Sequence, residues 1–381
     1  MNIVINGAYQ TKFGELWDKS LHDLMTEAID GALQDAGLEK KEIEIVFLGN
    51  KMASQVSDQN HLSALVNEIL GYRIPVVRVE SACASGGVAL SQACFALESG
   101  QYNKALVIGA EKMTDLPIEQ ISYSLMHAAS EQERQAGLSF VGLYALMAKN
   151  YLQTFGASQE DLAYPAIKNH KHATLNPKAQ FPFEISLEQV AQSALVADPL
   201  RLLHCSGITD GAAAVVLENL GCEARKNNQV QVVASVQAGE TLALSARQSL
   251  TTIESTKDAA QKAYQQAGIG PEDISLLEVH DCFTIAEILA VEDLGLCHKG
   301  EGHIAMRNQK FTIGCPQPVN ISGGLKACGH PVGATGVKQI VELCNQLKGR
   351  AGARQLNKPL VGLAHNVGGT GGTVVIHILK I

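Results

Sequence analysis

Apolar positions along the chain fall into two patterns. Short, nearly continuous apolar runs occur at Ile3 to Gly7, Ile43 to Leu48, Ile74 to Val79, Ala105 to Gly109, Val230 to Gln237 and Ile274 to Val279. Runs of this length and density predict buried strands. Between them the period changes to that of a helix. Ser20 to Ala36 reads as an amphipathic helix, Gly86 to Leu97 as a helix rich in small residues, and Gly142 to Phe155 as a further helix. Alternating strands and helices imply a layered α/β fold.

The alternation repeats. Ala32-Leu33-Gln34-Asp35-Ala36-Gly37-Leu38, with Ile43 beyond, returns as Ala263-Tyr264-Gln265-Gln266-Ala267-Gly268-Ile269, with Ile274 beyond. Each copy predicts a helix stopped by a glycine and followed by a strand. A second pair, Asp210 to Leu217 and Gly371 to Ile376, is a glycine turn entering a buried strand. The first pair is offset by 231 residues and the second by 159, so the first half carries about 72 extra residues. The expected organisation is a first half at 1–113 and 204–241, a mainly helical insertion at 114–203, and a second half at 242–381. Each half is expected to hold a sheet. With no Pro/Gly/Ser linker between them, the halves are expected to pack face to face.

Composition narrows the function. The 381 residues are 46% hydrophobic and 18% charged, with 35 glycines, which suits a large core with close helix–sheet contacts. A formal charge of −8 argues against non-specific binding to nucleic acid or anionic membrane. No apolar run reaches membrane-spanning length, Met1 to Gln10 lacks a basic leader, and Leu379-Lys380-Ile381 is not a peroxisomal address. The nine cysteines show no metal-type CxxC pair and read as reduced thiols of a cytoplasmic protein.

Three clusters carry candidate chemistry. Cys83 falls where the Ile74–Val79 strand turns into the next helix, within Glu80-Ser81-Ala82-Cys83-Ala84-Ser85-Gly86-Gly87. Free N–H groups at a helix start lower a thiol's pKa, and the flanking Ala and Gly leave room for a ligand or another backbone. A cysteine that merely packs is the alternative. His280-Asp281-Cys282-Phe283 follows a strand directly, so His280 and Cys282, two apart, face the same way. Such residues line a cavity or are a satisfied buried end. Gly329-His330-Pro331-Val332-Gly333 fixes an imidazole in a glycine-rich loop that is not a dinucleotide fingerprint. A last loop, His365-Asn366-Val367-Gly368-Gly369, can direct backbone N–H groups at an oxyanion.

With these motifs in this order, the chain resembles the thiolases over essentially its whole length, and in particular the sterol-carrier-protein type. Ser81 to Gly86 resembles the nucleophile motif, Gly329 to Gly336 the family's GHPxGxxG, and His280 to Phe283 the HDCF motif of that branch. Lys168-Asn169-His170-Lys171-His172-Ala173 resembles a branch-typical stretch of the insertion. Asn366-Val367-Gly368-Gly369 departs from the CxGG that carries the second catalytic cysteine in other thiolases, and Cys282 fills that gap. The resemblance implies duplicated α/β halves in an α-β-α-β-α stack. It implies transfer of an acyl group between coenzyme A and 3-ketoacyl-CoA, with coenzyme A as substrate and no other cofactor or metal, in lipid metabolism. It makes Cys83 the nucleophile, His330 its activator, Cys282 the acid/base, and His280 the support of one oxyanion. The N–H groups of Cys83 and Gly368 would hold the other. It also implies a homodimer or homotetramer, with partner proteins in some relatives; with Ile381 just after the last strand, no sterol-carrier domain is expected to follow.

Alternatives stay open at this level. The two cysteines and two histidines could form a zinc site, although neither cysteine has the usual spacing. Lys168, His170, Lys171, His172 and Lys178 form a dense basic patch suited to coenzyme A phosphates, or else a solvated helical face. Ser206, before the Asp210–Leu217 strand, matches a residue that touches coenzyme A in thiolases. A condensing enzyme of the same fold, or an acyl-passing subunit of a complex, would share Cys83 and a histidine. Cys282 argues for the thiolase.

Overall fold

In the computed structural model, which describes residues 2–225 and 228–381, the strands are β1 (Ile3–Gln10), β2 (Ile45–Gly49), β3 (Val76–Val79), β4 (Lys104–Glu111), β5 (Leu195–Ala197), β6 (Leu200–Arg201), β7 (Gly211–Asn219), β8 (Val230–Gly239), β9 (Leu276–Glu278), β10 (Val361–Gly368) and β11 (Thr373–Lys380). Among the described residues nine of them join in one sheet, ordered β3-β2-β4-β7-β1-β8-β11-β10-β9, with β5 and β6 in a small ribbon. Two separate sheets were the expectation. The join is a three-residue antiparallel contact of β1 with β8, from Ile3 against Val232 to Ile5 against Val230. β8, read above as the end of the first half, pairs along most of its length with β11 of the second.

The layering follows from which helix faces are apolar. The Leu21–Ala36 helix covers one outer face, on β1, β4 and β7. Its repeat partner, Glu254–Ala267, covers the other, on β8 and β11. Both end at a left-handed glycine, Gly37 and Gly268, as the repeat predicts. Between the two parts of the sheet lie the Ser85–Glu98 and Thr335–Leu347 helices, buried on nearly every side. This is the α-β-α-β-α stack. The 114–203 segment, expected as an insertion, is mainly helical, with its longest helix at Phe140–Phe155, and carries the β5–β6 ribbon.

β3 corrects one expectation. It is an edge strand, only partly buried, and Val77 is 43% exposed. An apolar run looks the same in sequence whether one edge or both are paired.

The two central helices meet through glycine. A Cβ on Gly86 would stand 2.6 Å from the Gly333 carbonyl oxygen, and one on Gly336 would stand 2.3 Å from the Gly87 nitrogen. Backbone therefore packs on backbone. The turn that carries Cys83 and the loop that carries His330 are pressed together at the N-terminal ends of their helices.

Candidate active site

The turn that carries Cys83 is built by local hydrogen bonds. Ala82 adopts φ of 51°, left-handed for a non-glycine residue. Ser85 holds the strain: its Oγ accepts from the Ser81 N–H at 2.9 Å and donates to the Ala82 carbonyl at 2.6 Å. Cys83 projects from this turn, half-buried, one residue before the helix cap at Ala84.

Asn366 ties that turn to the rest of the site. Its Oδ1 accepts from the Gly87 N–H at 3.2 Å, so its Nδ2 is the end that donates, to the Cys83 carbonyl at 3.0 Å and to His280 Nδ1 at 3.2 Å. His280 Nδ1 is therefore an acceptor, and the ring's proton sits on Nε2. That Nε2–H is buried and has no hydrogen-bond partner among the described residues. A buried donor left unpaired is a place for developing negative charge.

His330 carries the opposite tautomer. The Thr335 hydroxyl donates to the Pro331 carbonyl at 3.0 Å, so its oxygen accepts from His330 Nδ1–H at 2.7 Å. Nε2 of His330 is left with its lone pair. The Sγ of Cys83 and one ring nitrogen each of His280 and His330 lie within 4.8 Å of one another, and the two rings stand edge to face at 5.1 Å. Burial pushes His330 down to about 3 and His280 well below the usual histidine range, so both imidazoles are neutral near pH 7. Burial also pushes the Cys83 thiol up to about 11, against the Lys51 ammonium and the Gly369 N–H, which favour its thiolate. The resting group is thus thiol and neutral base. A metal would need a lone pair on His280 Nε2, and the Asn366 N–H on the other nitrogen places a proton there instead.

Cys282 is buried across the same cavity, its thiol held well above the usual range by desolvation and by the nearby Cys83. Alternation puts His280 and Cys282 toward the site, as their spacing predicts, and sends Asp281 the other way. The Asp281 carboxylate accepts from Leu325 N–H at 2.6 Å, Lys326 N–H at 3.2 Å and Asn169 Nδ2 at 2.6 Å. It fastens the His280–Cys282 turn to the segment leading into His330.

Cys83, Cys282 and His330 line one largely apolar cavity of about 340 Å³, with Met113, Phe140, Tyr144, Phe283 and Val332 in its walls. Its outer walls include the exposed Ile118, Val196 and Leu202. Ser206 lies in the wall, its N–H on the Cys282 carbonyl at 3.0 Å. Gly368 does not line this cavity. The N–H that reaches the Cys83 thiol belongs to Gly369, one residue on, because Gly368 still pairs with Thr373 at the end of β10.

The basic patch does not exist as a surface. Lys168 is buried, paired with Glu287 at 2.8 Å and donating to the Val319 carbonyl at 2.7 Å. His170 and His172 are buried and pushed to about 4 and about 3 by desolvation. Lys178 lies over the Tyr9 ring at 3.8 Å. Lys171 alone of the helical members is exposed, and it is not among the cavity-lining residues. Thr335 and Tyr144 are the site residues that sequence reasoning missed. Only their approach in three dimensions marks them. Gly369 lies in the loop read as directing N–H groups at an oxyanion, one residue beyond the Gly368 expected.

Comparison with known proteins finds relatives over the whole chain. The family model described as "Thiolase, N-terminal domain" matches residues 3–220, and "Thiolase C-terminal domain-like" matches residues 236–381. The chain is 46% identical to an acetyl-CoA acetyltransferase of Methanothermobacter thermautotrophicus, over 100% of this chain and 99% of that one. It is 31% identical to sterol carrier protein 2 of Bos taurus, over 100% of this chain and 72% of that one. Its fold matches the solved "Ltp2-ChsH2(DUF35) aldolase" with a TM-score of 0.84 at 23% identity, covering 99% of this chain and 97% of that one. With both thiolase halves matched and a full-length relative at that identity, the chain belongs to the thiolase family.

Proposed function

We propose that the protein is an acyl-CoA C-acyltransferase that cleaves or forms 3-ketoacyl-CoA, such as acetoacetyl-CoA, through an acyl-Cys83 intermediate. His330 Nε2 takes the Cys83 proton as the sulfur attacks the 3-keto carbon. The Cys83 and Gly369 N–H groups hold the oxyanion. The bond between C2 and C3 breaks, and the acetyl-CoA enolate leaves with its thioester oxygen on His280 Nε2–H. Cys282 protonates its carbon and becomes the thiolate. Through solvent the His330 proton returns to Cys282, and coenzyme A then gives its thiol proton to His330 Nε2 as it attacks acyl-Cys83. The released Cys83 sulfur recovers its proton from His330. Two sulfurs are needed because one cannot be nucleophile and acid in the same step.

The observation that carries this reading is the pair of opposite histidine tautomers at one thiol, a base on one side and a donor on the other. Ser206 is the proposed contact to the pantetheine arm. Lys171 could meet only a part of coenzyme A outside the cavity, such as its phosphates. No cofactor besides the substrate is invoked. The free edge of β3 supports a homodimer or homotetramer, which sedimentation tests, and the nine unpaired cysteines support a cytoplasmic setting. Assay of Cys83→Ala and Cys282→Ala for acetoacetyl-CoA thiolysis tests the mechanism. Both are expected to be inactive, and near-normal turnover by either contradicts it.

A second reading, an acyl-passing subunit of a complex, draws on the exposed apolar residues at the cavity mouth, Ile118, Val196 and Leu202. A partner that accepts the acyl group in place of coenzyme A supports it. Full turnover by the isolated chain opposes it.

A further inference from the structure

We propose that Tyr144 is a catalytic residue: its hydroxyl is the hydrogen-bond partner that Cys282 uses in both of its protonation states. This rests on Cys282 being the acid/base of the reaction above.

Tyr144 is 1% exposed, yet it lines the cavity together with Cys83, Cys282 and His330. Its ring is held against Phe283, with centroids 4.7 Å apart, and Phe283 follows Cys282 directly. Its hydroxyl donates to the Gly369 carbonyl at 3.0 Å, and the Cys282 thiol lines the same cavity close enough for each group to shift the other's pKa. A hydroxyl has one proton and two lone pairs. With that proton on Gly369, a bond between the two groups in the resting state runs from the Cys282 S–H to a lone pair of Tyr144 Oη. Once Cys282 has given its proton to the enolate, the bond has to reverse. The Tyr144 O–H turns from the Gly369 carbonyl to the thiolate, which needs only rotation about the C–O bond. No net proton moves through the phenol. Its high pKa in this buried place keeps it a donor throughout. Gly369 is also the residue whose N–H reaches Cys83. One side chain thus stands beside the second sulfur and reaches the first through a single residue, Gly369.

Tyr144→Phe keeps the ring and removes the hydroxyl. Two reactions read it separately. Exchange of the acetyl-CoA methyl protons in deuterium oxide, followed by mass spectrometry, reports the Cys282 step. Exchange of labelled coenzyme A into acetyl-CoA reports the Cys83 and His330 step. In Y144F the first is expected to fall about 10- to 100-fold, within the range of a general acid–base contribution, and its pH profile to move to higher pH. The second is expected to stay close to the parent rate. An unchanged proton-exchange rate, or an equal fall in both reactions, overturns the proposal. Cys282→Ala separates the two levels. If it abolishes proton exchange while Y144F does not, Tyr144 is excluded and the role of Cys282 stands. If proton exchange survives in C282A, the role of Cys282 itself fails. Should Y144F not fold, fluorotyrosine at position 144 keeps the hydroxyl and makes it a stronger donor. The profile is then expected to move to lower pH, and an unmoved profile overturns the proposal.

Discussion

Replacing Thr335 with valine tests the site at its least conspicuous member. Valine has the shape of threonine without the hydroxyl. In the parent, that oxygen accepts the His330 Nδ1–H at 2.7 Å while its proton goes to the Pro331 carbonyl at 3.0 Å. His330 is 7% exposed, so water does not readily replace the lost acceptor. Leaving a buried N–H unpaired costs about 1–3 kcal/mol. The working tautomer, with the proton on Nδ1, loses that advantage over the idle one. At 1.4 kcal/mol per decade, kcat/KM for acetoacetyl-CoA thiolysis is expected to fall about 5- to 150-fold. Unfolding free energy from urea titration is expected to fall by about 1–3 kcal/mol, from the same unpaired group. Thr335→Ser restores the oxygen and is expected to restore most of the rate. Parent-like activity in T335V refutes the tautomer argument, and equal loss in T335V and T335S shows that packing at this position, not the hydroxyl bond alone, sets the rate.

Further expectations follow from the packing and the charges. Lys168→Met strands Glu287, which is fully buried, and is expected to cost about 3–5 kcal/mol in urea unfolding, whereas the exposed Lys171→Met is expected to lie within about 0.5 kcal/mol of the parent. Gly336→Ala drives a methyl to 2.3 Å from the Gly87 nitrogen and 2.4 Å from Asn366 Oδ1. It is expected to lose at least about 1–3 kcal/mol and most activity, while Gly14→Ala, with its nearest neighbour at 4.0 Å, is expected to lose little. His172, His330 and His365 are pushed to about 3, and His170, His204 and His377 to about 4, so the unfolded chain binds more protons than the folded one between those values and about 6.5. Stability is therefore present above pH 6.5 and lost as pH falls. Asp281 and Asp293, raised to about 7 and about 6, oppose this in part. A urea midpoint that does not drop between pH 7 and pH 5 contradicts the balance.

The elements and the reactive atoms were legible for different reasons than their partners. The halves show in sequence because each repeat carries its own helix stop, and Gly37 and Gly268 both adopt the left-handed cap. His280 and Cys282 show because strand alternation is local. Cys83 shows because small residues flank a strand-to-helix turn. What sets the protonation of the site lies far away in the chain. Asn366 is 283 residues from the carbonyl it holds, and Tyr144 is 225 residues from Gly369. No local pattern encodes those meetings. The basic patch misled because the Tyr164–Ala173 helix buries polar side chains on most of its surface. Its Lys168 and Asn169 grip Glu287 and Asp281, so the helix has no apolar stripe to reveal which side faces in. The single sheet was missed because β1 and β8 touch over only three residue pairs.

The division of labour between the two sulfurs is most directly tested by intact-protein mass spectrometry with peptide mapping after acetyl-CoA is added to Cys282→Ala. The account predicts one acetyl group, on Cys83, formed and released to coenzyme A by a variant that no longer cleaves acetoacetyl-CoA. An unlabelled Cys83, or carbon–carbon cleavage at the parent rate without the second sulfur, contradicts it.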